Sequence, residues 1–123
     1  MTAETGPPVL DPEPLRRLTQ SLGADGPELV AELLEVFAQD APRLLTELHA
    51  GLAAGDAATA GRAAHTLKGN AATLGLPRLE AACRAAETHA GAGDLDTAAA
   101  AAARAAREHA AAAAALAERA PPG

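Results

Sequence analysis

The sequence has almost no aromatic residues, and this absence constrains its fold. Aromatic residues make up 1% of the 123 positions, and Phe37 is the only one. The interior must therefore consist of leucine, valine and alanine, whose modest volumes allow helices to pack closely. β-Branched residues are scarce and never alternate over a strand-length run, so no strand is predicted. The composition favours a tight bundle of helices in a single domain.

Other absences exclude several classes of protein. The single cysteine, Cys83, allows no intramolecular disulfide and no CxxC metal pair. The formal net charge of −6 argues against a nucleic-acid partner, because binding to phosphates needs a basic surface. The N-terminus lacks the basic segment and apolar core of a signal peptide, and no uncharged run is long enough to span a membrane. We therefore expect a cytoplasmic protein that binds neither nucleic acid nor membranes.

Proline, glycine and aspartate divide the sequence into helices, because these residues favour helix ends. The predicted helices cover approximately residues 12–22, 26–55, 56–74, 77–90 and 95–117. Gly51 and Gly55 are expected to end the second helix, and Pro42 is expected to kink it. The connection before Pro77 is so short that the third and fourth helices must form an antiparallel hairpin.

Apolar residues recur every three or four positions in these helices, which is the pattern of a bundle seam. In the second helix they are Val30, Leu33, Leu34, Phe37, Ala41, Leu44, Leu48 and Leu52. In the last helix the expected packing face is Leu95, Ala99, Ala102, Ala106, Ala113 and Leu116. We predict an all-α fold, an antiparallel up-down-up-down four-helix bundle with a short additional N-terminal helix. Residues 11–118 would form this domain, and residues 1–10 and 119–123 are expected to be disordered.

One face of the third helix carries an unusual set of residues around His65. Because a helix advances about 100° per residue, the face within about 60° of His65 includes Gly61, Arg62, Lys68 and Gly69. The opposite side is apolar and consists of Ala60, Ala63, Leu67, Ala71 and Leu74. Each glycine costs the helix about 1 kcal/mol relative to alanine, and together they leave the imidazole exposed between two cations. Such an imidazole is suited to be a nucleophile that another protein must reach.

These residues carry a family resemblance. The sequence HTLKG at residues 65–69, with Leu74-Gly75 and Leu79 after it, resembles the signature of the histidine-containing phosphotransfer (HPt) domain family. The resemblance covers roughly residues 11–118. It implies a role in phosphorelays, in which the family's histidine accepts a phosphoryl group from a receiver-domain aspartate and passes it to another receiver aspartate.

The resemblance also implies roles for individual residues. His65 would be the phosphoacceptor, through its outer ring nitrogen Nε2, and Lys68 would stabilise the phosphoryl group. Glu87, on the facing helix, matches a family position that hydrogen-bonds the inner nitrogen Nδ1, and it would orient His65. The expected partner-binding residues are Arg62, Lys68, Gly69 and Ala72; the family motif does not fix Arg62, whose part is inferred from its place beside His65.

The implied partners are response-regulator receiver domains, a hybrid histidine kinase, or both. The Mg²⁺ that this chemistry needs would be supplied in the partner receiver, so this chain is expected to have no cofactor and no metal site. We also expect the chain to be a monomer.

Two other functions remain open from the sequence. The first is a receiver-binding adaptor of the same fold that is not itself phosphorylated. The second is an enzyme that uses His65 as a general base or metal ligand, which would need a concave pocket and a nucleophile beside the base. No serine, cysteine or aspartate stands at hydrogen-bonding spacing from His65 on this helix. The sequence also lacks a glycine-rich nucleotide loop, so we predict a phosphocarrier rather than an enzyme or a self-sufficient kinase.

Overall fold

The computed structural model describes residues 6–119, and within them the chain is helical without strands. The helices are α1 (Glu13–Ser21), α2 (Gly26–Ala53), α3 (Ala57–Leu74), α4 (Pro77–Gly91) and α5 (Leu95–Arg119), and a short 3-10 turn precedes α2. Helix α2 packs against α3 and α5, α4 packs against the same two helices, and α1 lies against α2 and α3. The predicted antiparallel four-helix bundle with a short additional N-terminal helix is confirmed.

Polar side chains and glycines set the helix boundaries near the site. The Asp56 carboxylate accepts a hydrogen bond from the Thr59 backbone nitrogen at 3.1 Å, which caps the start of α3. Gly75 adopts a left-handed conformation with φ 76° and ends α3. Pro77 then begins α4, so the two helices form the expected hairpin.

The end of α2 differs from the expectation. Gly51 does not end the helix: it is buried within α2, which continues to Ala53, and the left-handed Gly55 follows outside it. A Cβ atom at Gly51 would lie 2.9 Å from the backbone nitrogen of Ala60. Glycine is therefore needed here for the close approach of α2 and α3, rather than for helix termination. Pro42 lies inside α2, which is assigned as one continuous helix through it.

The core consists mainly of leucine and alanine, together with Val30, Phe37 and Cys83, and all four bundle helices contribute to it. The α3 stripe of Ala60, Ala63, Leu67, Ala71 and Leu74 is buried as predicted. The predicted α4 partners of this stripe are buried too: Leu79, Ala82, Cys83, Ala86 and Ala90. In α2, Leu45 is buried in addition to the predicted positions, while Leu33 and Leu34 are half-buried.

The packing face of α5 was predicted only in part, with Ala102 buried as expected and Ala106 half-buried. Ala99 and Ala113 are exposed, whereas the fully buried positions are Ala98, Ala102, Ala105 and Ala112. Leu95 and Leu116 are only half-buried. Because alanine occupies nearly every side of this helix, the sequence offers little contrast between apolar and polar residues from which to assign its orientation.

Two segments were expected to be disordered, residues 1–10 and 119–123. Of these, residues 1–5 and 120–123 lie outside the described residues. Within the described part, Val9 and Leu10 pack against the core, and the Asp11 backbone nitrogen donates to the Gly75 carbonyl at 2.8 Å. Residues 9 and 10 thus differ from the expected disorder, because their apolar side chains cover the edge of the bundle. At the other end, Arg119 still belongs to α5.

No helix among the described residues is both long enough and apolar enough to span a membrane.

Candidate functional site

His65 lies in the middle of α3 and its imidazole points to solvent. The side chain is 68% exposed, while Ala64 and Leu67 beside it on the helix are fully buried. The apolar stripe on the other side of α3 fixes this orientation, because rotating the helix would bring the leucines into water. The structure thus presents the imidazole on the outer surface of the bundle.

Glu87 binds the inner nitrogen of this ring. The antiparallel hairpin places α4 beside α3, and Glu87 Oε2 lies 2.9 Å from His65 Nδ1. An ionised carboxylate can only accept hydrogen bonds, so Nδ1 carries the proton and donates it. In the neutral imidazole the outer nitrogen Nε2 then has a free lone pair, and Nε2 makes no hydrogen bond within residues 6–119. The contact predicted from the family position is present.

Lys68 occupies the second oxygen of the same carboxylate. Its ammonium group donates from Nζ to Glu87 Oε1 at 2.6 Å, and both side chains are half-buried, with 24% and 30% exposure. The hydrogen bond from Lys68 is the main reason that the pKa of Glu87 lies below its usual value, and the bond from His65 acts in the same direction. Lys68 was expected to stabilise the phosphoryl group, and its bond to Glu87 is a contact that the sequence did not predict.

The other predicted residues lie on the same exposed side of α3. Among the described residues they form no side-chain hydrogen bond with His65, Lys68 or Glu87. Arg62 is exposed, and its guanidinium donates to the Thr59 hydroxyl at 3.3 Å. Gly69 and Ala72 follow His65 on the exposed surface. A Cβ atom added at Gly69 would meet nothing within 4 Å, so a partner can approach the helix closely there.

A shallow groove runs from His65 towards the N-terminus of α3, between α3 and α4, and is called the α3/α4 groove below. It is lined beside His65 by Ala57, Ala58, Gly61, Arg62, Glu87 and Gly91. Most of these side chains are small, so the floor of the groove is close to the helix backbone.

Comparison with known proteins identifies the family. The family model of the Hpt domain matches residues 32–118. The chain belongs to the Hpt family. It is also similar to the crystal structure of histidine-containing phosphotransfer protein B (HptB) from Pseudomonas aeruginosa PAO1. That match has 34% sequence identity and a TM-score of 0.74, and it covers 84% of this chain and 86% of that chain. No curated protein matches the sequence.

Membership of the Hpt family supports a histidine phosphotransfer role in phosphorelays, and the proteins of this family are phosphocarriers. Hpt proteins interact with receiver domains and kinases in such relays. The family match covers α3, α4 and nearly all of α2 and α5, and therefore includes the whole cluster of His65, Lys68 and Glu87.

Gly91 contributes to the surface beside His65, although its sequence position indicated only a helix end. Gly91 is the last residue of α4 and lines the α3/α4 groove. A usable signal was its position one helical turn after Glu87, which places both residues on the same side of α4.

Two further observations concern the chemistry of the site. Burial raises the pKa of the Cys83 thiol to about 12, so this cysteine is an unreactive core residue. Within residues 6–119 no group of three or more histidine, cysteine, aspartate and glutamate side chains is arranged to hold a metal ion.

Proposed function

We propose that His65 accepts a phosphoryl group on Nε2 from the aspartyl phosphate of a receiver domain, and passes it to the aspartate of another receiver. One observation carries the proposal: Nδ1 is bound to Glu87 at 2.9 Å while the ring remains 68% exposed. The inner nitrogen is held from behind, and the outer nitrogen is left free for a reaction with a visiting protein.

In the proposed step the Nε2 lone pair attacks phosphorus and the bond between phosphorus and the aspartate oxygen breaks. The aspartate leaves as a carboxylate, and the imidazole keeps its proton on Nδ1. The ring therefore gains positive charge as the new bond forms, and the carboxylate of Glu87 stabilises that charge at close range. Transfer to the second receiver is the reverse of this step with a different aspartate.

Lys68 is proposed to stabilise the phosphoryl oxygens, which carry the charge in this type of transfer. It must first leave Glu87, to which its ammonium is bound at 2.6 Å in this structure. The developing positive charge on the ring favours this release, because Glu87 then interacts more strongly with His65. The carboxylate would thus be shared between two cations in turn.

The proposed partners are response-regulator receiver domains, a hybrid histidine kinase, or both, docked over Gly69 and Ala72. The Mg²⁺ is proposed to be held by the receiver. Cytoplasmic location, a monomeric state and the absence of a cofactor stay predictions from the sequence.

The proposal is tested with a receiver domain carrying a labelled aspartyl phosphate. Incubation should transfer label to this chain in an acid-labile, base-stable form that is typical of phosphohistidine. His65→Gln should abolish the label, whereas His49→Gln, which changes an exposed histidine on α2, should keep it. Label that survives in His65→Gln would contradict the proposal, and binding of the receiver without any label would favour the unphosphorylated adaptor.

A further inference from the structure

Two pairs of glycines among the described residues have different causes. At Gly51 an added Cβ would lie 2.9 Å from a backbone nitrogen, and Gly75 has a left-handed φ of 76°. The fold itself requires glycine at both positions. Gly61 and Gly69 are different: they lie inside α3, their φ angles are not positive, and an added Cβ would meet nothing within 4 Å.

Glycine inside a helix is destabilising relative to alanine, and this chain uses alanine at most other small positions of its helices. Neither packing nor backbone conformation within the described residues accounts for Gly61 or Gly69. Gly69 belongs to the HTLKG motif that carries the resemblance, but Gly61 lies outside that motif. An external reason remains for Gly61, namely that another molecule approaches the helix backbone there.

Gly61 lies in the α3/α4 groove beside Arg62. Among the cations of this region, Arg62 has the weakest contacts within the protein. Lys68 is bound to Glu87, and Arg43, on α2, is paired with Glu47 at 2.8 Å. Within the described residues Arg62 forms no direct ion pair, and its guanidinium donates to the Thr59 hydroxyl at 3.3 Å. That hydroxyl in turn donates to the Asp56 carboxylate at 2.6 Å, so Arg62 reaches a carboxylate only through the threonine. The bond from Arg62 is long and exposed, so the guanidinium can leave it at little cost.

We infer that the surface contacted by the receiver extends from His65 towards the N-terminus of α3 along the α3/α4 groove, where Arg62 binds the oxygens of the incoming phosphoryl group. The inference rests on the proposed function and adds the side from which the partner approaches. Arg62 lies one helical turn before His65, and a guanidinium can donate two parallel hydrogen bonds to phosphoryl oxygens. Arg62 would then act on arrival, while Lys68 is still bound to Glu87.

The groove is tested by adding bulk at Gly61. Gly61→Ala should leave the melting temperature unchanged or raise it, because the new Cβ meets no atom of the fold. Gly61→Gln should lower kcat/KM for transfer from the receiver by about tenfold or more, because a displaced docking pose loses alignment. The matched control is Ala103→Gln, which adds the same side chain to the exposed face of α5. A lower melting temperature for Gly61→Ala would overturn the argument, since the fold would then need this glycine.

The role of Arg62 is tested by comparing Arg62→Ala with Arg104→Ala. The second variant removes an exposed arginine from α5 and changes the net charge equally. Arg62→Ala should lower kcat/KM by about tenfold and flatten its dependence on salt, while Arg104→Ala behaves as the unmodified chain. Arg62→Lys should recover only part of the loss, because an ammonium cannot make the paired contact.

The outcomes separate this inference from the proposed function. If His65→Gln abolishes label but Gly61→Gln and Arg62→Ala match their controls, the transfer function stands and the extended docking surface is refuted. If the unmodified chain takes no label from any phosphorylated receiver, the proposed function fails and this inference fails with it.

Discussion

The two faces of α3 differ in almost every physical respect although they belong to the same 18 residues. The inner face is closed: Ala60, Leu67 and Ala71 are completely buried against the other helices. The outer face carries the exposed His65, whose ring is held by the Glu87 carboxylate on α4. The inner face therefore determines where the helix sits, and the outer face determines what it can react with.

This difference means that stability and chemistry can be changed separately in this protein. Small residues on the outer face add little packing energy, so they can be replaced without loss of folding. The ring of His65 is positioned by the α3–α4 hairpin as a whole, because Glu87 must arrive from the neighbouring helix. The comparison would be broken by any outer-face change that unfolds the bundle, or by any inner-face change that alters only transfer.

The largest expected effect is on the inner face. Leu67→Ala removes a fully buried side chain and should lower the free energy of unfolding by about 2–5 kcal/mol, because it leaves a cavity between helices. Chemical denaturation followed by circular dichroism measures this loss. Ala72→Ser, an exposed change on the outer face, should lower it by less than about 1 kcal/mol. A small loss for Leu67→Ala would mean that the inner face does not hold the helix in place.

The next effect is on the outer face and on transfer alone. Gly69→Arg should reduce the rate of phosphoryl transfer by about 100-fold, because the long side chain occupies the space through which the receiver reaches His65. The free energy of unfolding should not fall, since arginine is a better helix former than glycine. Ala103→Arg on α5 is the control for added charge and size. Transfer at the unmodified rate would show that close approach over Gly69 is unnecessary.

Much of this division could be predicted from the sequence, because α3 has strong contrast between its sides. Leucines at positions 67 and 74 and a histidine at 65 leave one orientation for the helix, and the bundle and hairpin follow from short glycine and proline connections. The position of Glu87 required the family resemblance, since sequence spacing alone does not say which α4 residue faces His65.

Other features depended on tertiary contacts that the sequence does not display. The packing face of α5 was predicted only in part because alanine occupies nearly every side of that helix. Ala98 and Ala99 are chemically identical, and only packing makes one buried and the other exposed. Gly51 was taken for a helix end because its real cause is a neighbouring backbone. The bond between Lys68 and Glu87 was missed for a related reason: the helical positions of the two cations were predicted, but not which of them the carboxylate would bind.

A moderate effect is expected where the two faces meet, at Lys68. Lys68→Ala should slow transfer by about tenfold, because one charge that stabilises the phosphoryl oxygens is lost. Folding should stay intact, since partly exposed ion pairs contribute little to stability. Single-turnover transfer kinetics and a thermal melt measure the two quantities. Unfolding of the bundle in Lys68→Ala would show that the lysine belongs to the structural face instead.

The smallest effect is a pH dependence of stability that arises from Glu87. Its pKa is held below the usual value of 4.5, mainly by the hydrogen bond from Lys68. The folded state therefore favours the carboxylate, and this stabilisation is complete above pH 4.5 and is lost as the pH falls through the lowered pKa. Glu87→Gln should lack this part of the acid-induced loss of stability.

In Lys68→Ala the pKa of Glu87, followed by NMR of its side-chain carboxyl carbon, should move upward. The pKa of Glu13 on α1, which Arg16 and Arg17 lower, provides an internal control and should not change. An unchanged Glu87 titration in Lys68→Ala would show that the ion pair between Lys68 and Glu87 does not form in solution.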